Sequence, residues 1–283
     1  MAKAKKKSGL WRVVKILVGL CLLMLAGTVA FYFVYPDVSA LKRHNPRKTS
    51  FMEYREHEWR QQGKKLKIQQ RWVPLSRISP FLGKAVIIAE DDKFWKHEGF
   101  DFEAIEKAVE ANIRKKKIKF GGSTISQQLA KNLYLTPSKN PSRKLKEALI
   151  TWRMERALSK RRILEIYLNV VEWGEGVFGA EAAAAHYFGK PASALNADES
   201  SRLAVALPNP LKYKVTGNSR YVEKRSRVIY DIMVRRGIVV PEYEDIMKEP
   251  PESEAQQPSP PPAVPATAPE GAGQEPGLPQ KQQ

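Results

Sequence analysis

Two stretches hold the residues whose types and spacing suit chemistry. Glu90-Asp91-Asp92-Lys93-Phe94-Trp95-Lys96-His97-Glu98-Gly99 sets three carboxylates at the end of an apolar run. Gly121-Gly122-Ser123-Thr124-Ile125-Ser126-Gln127-Gln128-Leu129-Ala130-Lys131-Asn132 sets a glycine pair ahead of a helix that bears amides and a lysine. Together they suit a site that handles a sugar and a phosphate. The run Ala85-Val86-Ile87-Ile88-Ala89 should be buried, and it delivers Glu90 at its edge. A carboxylate there is partly desolvated, so its charged form is disfavoured and its pKa moves toward the range where a general acid or base works near pH 7. The plainer alternative is an acidic cluster that caps or ion-pairs a helix end.

In the second stretch Gly121-Gly122 frees the backbone to turn, and Ser123 or Thr124 can cap the helix that follows. Its N–H groups are then expected to face outward. Gln127 and Gln128 offer neutral donors, and Lys131 lies one turn beyond them near the same face. Such a set suits an anionic, oxygen-rich ligand such as a diphosphate. Ile125, Leu129 and Leu133 form a core stripe on the same helix, so an ordinary capped amphipathic helix explains this stretch too. A third cluster, Arg143-Lys144-Leu145-Lys146-Glu147, follows Pro141-Ser142, with Ser142 as the expected cap. Glu147 stands four residues from Arg143 and three from Lys144, which places all three on adjoining faces. A solvated helix with ion pairs worth about 0.3 to 0.5 kcal/mol each is the alternative.

In order and spacing these clusters resemble the first three motifs of the peptidoglycan glycosyltransferases, the glycosyltransferase family 51 domain. A fourth motif matches in Arg162-Ile163-Leu164-Glu165-Ile166-Tyr167-Leu168-Asn169, followed by Gly174, Gly176, Gly179 and Tyr187-Phe188-Gly189-Lys190. A fifth matches in Leu203-Ala204-Val205-Ala206-Leu207-Pro208-Asn209-Pro210. Five ordered motifs between Pro74 and Tyr213 make a chance match improbable. The stretch Asn169 to Phe178-Gly179 is similar to the monofunctional subgroup, which carries no transpeptidase. Ser39-Ala40-Leu41-Lys42 and Ser138-Lys139-Asn140 spell fragments of transpeptidase motifs, yet no K-T-G follows them.

The resemblance implies a mostly α, lysozyme-like, two-lobed domain with its site in the cleft between lobes. It implies polymerisation of lipid II into β-1,4-linked glycan, with inversion at the anomeric carbon and release of polyprenyl diphosphate. Carried over by residue, Glu90 is the general base and Glu147 the second catalytic carboxylate. Ser123, Gln128, Lys131, Asn132, Arg143 and Lys144 bind substrate or its diphosphate. Three roles stay open for Glu147: holding the basic side chains, assisting the leaving group, or helping to bind a divalent ion. No cofactor is obligatory; Mg2+ or Mn2+ at the diphosphate is allowed, and no dedicated metal site is spelled out. Asp91 and Asp92 are read as positioning Glu90 or attracting a cation, and His97 as a structural hydrogen-bonding residue. The expected partners are lipid II, the nascent glycan strand, inner-membrane lipid and proteins of wall synthesis or division. A lysozyme-like hydrolase or lytic transglycosylase would also use a glutamate in a helical cleft, but has no need of the cations at 131, 143 and 144. A non-enzymatic scaffold that binds glycan or anionic lipid is the remaining rival.

The elements that position these residues read as follows. Residues 1–15 form a basic cytoplasmic tail with Lys3, Lys5, Lys6, Lys7, Arg12 and Lys15. Residues 16–35 are uncharged and long enough to cross a hydrocarbon core of about 30 Å. Flanking positive charge keeps the N-terminus in the cytoplasm, so the domain should lie on the periplasmic side of the inner membrane. A cleaved signal peptide ending at Val38-Ser39-Ala40 is the rival, against which the apolar run is long. Residues 36–72 are a stalk and lead-in helix, residues 73–248 the glycosyltransferase domain, and residues 249–283 a Pro/Gln/Ala-rich tail with too few large apolar residues for a core. Helices are expected at 102–116, 124–133, 143–158, 162–171, 179–187, 199–206 and 220–236, with no sustained strand alternation.

The only cysteine, Cys21, lies in the apolar span, so the domain has no thiol for a disulfide or a metal. Residues 42–248 carry 41 basic and 24 acidic side chains, a net +17. That charge fits nucleic acid or anionic lipid and lipid diphosphate, and the outward-facing anchor excludes nucleic acid. Arg114-Lys115-Lys116-Lys117-Ile118-Lys119-Phe120 suits a segment resting on headgroups, or a solvated helix end.

Overall fold

The computed structural model of the chain describes residues 2–115, 121–137 and 140–240. Most of the lysine-rich stretch that ends at Phe120, Ser138 and the tail 249–283 lie outside the described residues.

Ten helices carry the described part: α1 (Ala2–Val34), α2 (Ser50–Gln61), α3 (Pro80–Glu90), α4 (Phe102–Lys115), α5 (Ile125–Tyr134), α6 (Pro141–Ala157), α7 (Lys160–Val170), α8 (Ala180–Phe188), α9 (Ala197–Ala206) and α10 (Arg220–Arg235). Their starts follow from short polar side chains that accept otherwise orphaned N–H groups. Ser79 caps α3, with Pro80 at the first helical position. Ser159 caps α7, and Asn196 with Glu199 forms a capping box on α9. α6 opens on Asn140, not on the expected Ser142: the Ser142 N–H donates to Asn140 Oδ1 at 2.9 Å. Pro141 explains the shift, because its fixed φ and missing N–H suit the first helical position and leave the cap one residue earlier.

The helices form two groups. α3 packs on α9 and α10, which also pack on each other; α5 packs on α2, α6 and α7. One hydrophobic cluster runs through both, from Leu82, Val86, Leu203 and Met233 to Ile125, Leu129, Ile150, Met154 and Ile166. Each fully buried side chain of this size contributes about 1.5 to 3 kcal/mol. The run Ala85–Ala89 that delivers Glu90 is therefore the last stretch of a helix whose Ala85, Val86 and Ile87 face the core.

A small sheet, absent from the sequence expectation, has strands β1 (Gln69–Gln70), β2 (Glu172–Gly174) and β3 (Val177–Phe178) in the order β1-β3-β2. β1 runs parallel to β3 and β2 antiparallel, with a register irregularity between Glu172 and Gly174. Strands of two or three residues are too short to show an alternating pattern. Asn169, fully buried, locks the sheet region to α7: it accepts from the Val73 N–H at 2.9 Å and donates to the carbonyls of Val73 and Glu165 at 2.9 and 2.8 Å.

α1 is long and apolar enough to cross a membrane, with mean hydropathy 2.4 over its most apolar window. Its C-terminal turn sits on α6. Arg153 donates to the carbonyls of Tyr32 and Val34 at 3.1 and 2.8 Å, and Phe33 meets Trp152 edge to face with ring centres 5.7 Å apart. Farther on, Arg162 donates to the carbonyls of Leu41 and His44. The segment 36–72 is thus held along the domain, and its Val38, Leu41, Met52 and Trp59 are buried.

Gly179 opens α8 at φ +82°, and a Cβ there would lie 2.6 Å from the Asn169 carbonyl oxygen. Both the backbone angle and the space exclude a side chain. Gly179→Ala should therefore lower unfolding stability by about 3 kcal/mol, read as a fall in the denaturation midpoint at unchanged m-value.

Candidate active site

Glu90 is the last residue of α3 and faces α5 across the junction of the two helical groups. Its Oε2 accepts from Gln128 Nε2 at 2.7 Å. Burial pushes its carboxyl above the usual range, and the charge of Asp91 adds to this, while the Gln128 bond and the charges of Lys131 and Arg225 oppose it. A cleft of about 290 Å3 opens beside it, walled by Ile88 to Lys93 on one side and by Gly121 to Thr124 on the other. A second hollow of about 220 Å3 shares Gly122 and Ser123 with the first and continues to Lys144 past Ile105, Ala108 and Val109 of α4.

Of the glycine pair, Gly122 works by closeness and Gly121 has open space around it. A Cβ on Gly122 would lie 3.0 Å from the Ile105 Cα, so any side chain there would crowd α4. The N-terminus of α5 is also less open than expected. Asp91 Oδ2 accepts from the Ile125 N–H at 2.9 Å, and a capping box between Thr124 and Gln127 engages the N–H groups of both. Gln127, 3% exposed, is spent inside this box. Gln127 borders the second hollow, and Gln128 is the glutamine that bonds Glu90.

Glu147 is 3% exposed, yet two cations hold it: Arg143 Nη1 at 3.0 Å and Lys144 Nζ at 2.5 Å. Lys144 also donates to Ser123 Oγ at 3.4 Å. Lys131 lies close enough to feel Glu147, Arg143, Lys144 and Glu90; burial and the two neighbouring cations lower its pKa, and the two carboxylates act in the opposite direction. The structure thus gathers Ser123, Lys131, Arg143, Lys144 and Glu147 on one side and Glu90 with Gln128 on the other. Asn132 is buried on α5, and among the described residues no hydrogen bond joins it to either group.

The remaining acidic residues are already engaged. Asp91 Oδ1 takes a bond from His97 Nε2 at 2.8 Å, while the Gly99 N–H donates to His97 Nδ1 at 3.1 Å, which leaves Nε2 as the donor. Asp92 forms a two-pronged pair with Arg236, at 2.5 and 2.9 Å. No three His, Cys, Asp or Glu side chains converge on one point among the described residues.

Two residues near Glu90 were not among the expected site residues. Tyr167, fully buried on α7, donates its hydroxyl to Gln128 Oε1 at 2.9 Å. Its place in an apolar helical run reads as core alone. Arg225, on the exposed side of α10, lies far along the chain from Glu90, and no local spacing connects them.

Residues 58–234 match the family model described as transglycosylase, which makes this chain a glycosyl-transferring enzyme. The chain belongs to that family. It is 47% identical over 207 residues to the biosynthetic peptidoglycan transglycosylase of Nitrosospira multiformis, covering 73% of this chain and 90% of that protein. It is 50% identical over 196 residues to the protein of the same name from Azoarcus sp., covering 69% and 85%. With that of Aromatoleum aromaticum it shares 49% over 220 residues, covering 75% and 95%.

Because burial raises the Glu90 pKa, its ionised form costs folding free energy: between the unfolded and folded pKa the native state holds more protons, and stability falls as pH rises. Glu90→Gln removes that charge and keeps a polar partner for Gln128. The variant should melt higher than wild type near pH 7.5, and the gap should close as pH falls to about 4, where the carboxyl is protonated in both states.

Proposed function

We propose that this enzyme polymerises lipid II into β-1,4-linked glycan strands of the bacterial wall, at the outer face of the inner membrane and without transpeptidation. The observation that carries this reading is the division of the cleft, with a half-buried carboxylate on α3 opposite a cationic group on α5 and α6. A proton acceptor and an anion cradle are the two functions that a diphosphate-leaving sugar transfer requires. The relatives' names supply the peptidoglycan part.

In this reading Glu90 takes the proton from the 4-hydroxyl of the acceptor N-acetylglucosamine. That oxygen forms a bond to the anomeric carbon of the donor N-acetylmuramic acid as the bond to the polyprenyl diphosphate breaks on the opposite face. Inversion gives the β-1,4 link. Lys131, Arg143 and Lys144 balance the charge that grows on the leaving diphosphate, and Ser123 borders the same place. Glu147 keeps the cations together; of its three open roles this is the one its two ion pairs favour. Glu90's raised pKa makes it a stronger base than an exposed carboxylate, at the cost of an acid limb displaced upward from the ordinary carboxylate range. A divalent ion, where one took part, would sit at the substrate diphosphate beside a site carboxylate.

α1 supplies the anchor, with the lysine-rich end in the cytoplasm and the domain in the periplasm. Its grip by Arg153 supports a site held at fixed height above the bilayer, where a lipid-linked substrate is presented.

The test is polymerisation of labelled lipid II by the detergent-solubilised protein, with product resolved by size. Wild type should give a ladder that lysozyme digests. Glu90→Gln should lower the rate by 100-fold or more, on the order of what a positioned base contributes, and Arg143→Ala should lower it without changing the acid limb of the pH profile. Cleavage of finished, diphosphate-free glycan with no use of lipid II would instead assign the protein to the hydrolases.

A further inference from the structure

Gln128 can serve Glu90 in only one of its two amide orientations. With Nε2 toward Glu90 it donates to the carboxylate; turned over, it would set a carbonyl oxygen against that charge. The 2.7 Å bond to Glu90 and the 2.9 Å bond from Tyr167 to Oε1 belong to the first orientation.

We propose that Tyr167 is a positioning residue for the transfer reaction: its buried hydroxyl fixes the Gln128 amide so that the carboxylate of Glu90 always meets a donor. The proposal rests on the reading of Glu90 as the proton acceptor. Its basis is an accounting of donors. The Tyr167 ring is fully buried, and its O–H has one acceptor among the described residues, Gln128 Oε1. Turning the amide over would strand that proton in the core, which costs about ten-fold in the population of the turned state per unsatisfied donor. Burial and the nearby charges of Glu90 and Asp91 hold the phenol far above its ordinary pKa, so it keeps the proton at every working pH. Tyr167 and Gln128 stand on different helices, α7 and α5, and the amide cannot escape the hydroxyl without separating them.

The charged and titratable groups around Glu90 are Asp91 on its own segment, Lys131 on α5, Arg225 on α10 and Tyr167 on α7. Tyr167→Phe leaves the three charges in place and removes only the O–H. The Gln128 amide can then turn when Glu90 is protonated, so that Oε1 accepts from the carboxyl O–H and the neutral form gains a partner that wild type denies it. Protonated Glu90 becomes relatively favoured, so the acid limb of the rate profile moves to higher pH.

The experiment compares kcat, KM and the pH profile of lipid II polymerisation for wild type, Tyr167→Phe, Gln128→Met and the double variant. Tyr167→Phe should lower kcat about ten-fold at pH 6.5, leave KM for lipid II within two-fold, and shift the acid limb upward. In the Gln128→Met background, Tyr167→Phe should have no further effect on the limb, because there is no amide left to orient. The double variant removes both polar partners and leaves no stranded donor, which guards the test against misfolding of either single variant. Independent, multiplying effects of the two changes, or an unmoved limb in folded Tyr167→Phe, would overturn the proposal. Full activity in Glu90→Gln would instead overturn the reading of the base beneath it.

Discussion

The grip of Asp91 on the start of α5 is the contact on which the site depends. Glu90 leaves a helix of one packing group, and the residues that face it belong to the other. Asp91 is the first residue after Glu90, and its two carboxylate oxygens are both used, one by the Ile125 N–H and one by His97. A buried carboxylate so engaged is held far more rigidly than a side chain in water, since breaking either bond strands a charge. The distance between α3 and α5 at this point is therefore set by hydrogen-bond geometry. The place of Gln128, one turn into α5, follows from it.

Beneath that grip a second layer ties the third element to the first two. Glu155 of α6 accepts from the Ser126 hydroxyl of α5 and from Lys160 of α7 at 2.7 Å, and Lys160 stands over the Phe94 ring at 4.6 Å. Phe94 and Gly99 belong to the loop that carries Asp91 and His97, and a Cβ on Gly99 would lie 2.9 Å from the Glu155 side chain. The same small set of side chains thus fixes α6, on which Arg143, Lys144 and Glu147 ride. Farther along α6, Arg153 closes the C-terminal turn of α1. One helix links the apolar anchor to the cationic side of the cleft.

Much of this was legible in the chain and some was not, for reasons that differ by residue. The apolar stripes of α5, α7 and α10 and the polar caps announce helices, because helix periodicity and capping are local. The mostly helical architecture and the family follow from them and from the five motifs. Thr124 and Gln127 also announced a helix start, yet the same local chemistry consumed donors that the sequence reading assigned to a ligand. Whether an N–H faces solvent or Asp91 is a tertiary fact, since Asp91 lies 34 residues earlier. Pro141 is a missed local signal, because a proline just after an asparagine is itself a sign that the cap is the asparagine. Arg225 had no local sign, and Tyr167 none beyond its place in the fourth motif, for they come near Glu90 only through the packing of α7 and α10.

The buried charge of Glu147 has a physical logic of its own. Three cations brought together without it would repel one another and the helices that carry them. One buried carboxylate between Arg143 and Lys144 reduces that repulsion but does not cancel it, since three positive groups face one negative one. Lys131 stands in the same field: burial lowers its pKa most, Arg143 and Lys144 lower it further, and Glu147 and Glu90 oppose them. A cluster in that condition gains from any multiply charged anion that enters, because the anion relieves repulsion as well as forming new ion pairs. Charge that develops on a departing diphosphate is stabilised more than charge already spread over an intact one. Replacing Glu147 by a neutral residue would therefore not strengthen the cradle: it would remove the one carboxylate that both Arg143 and Lys144 grip and let the cations move apart.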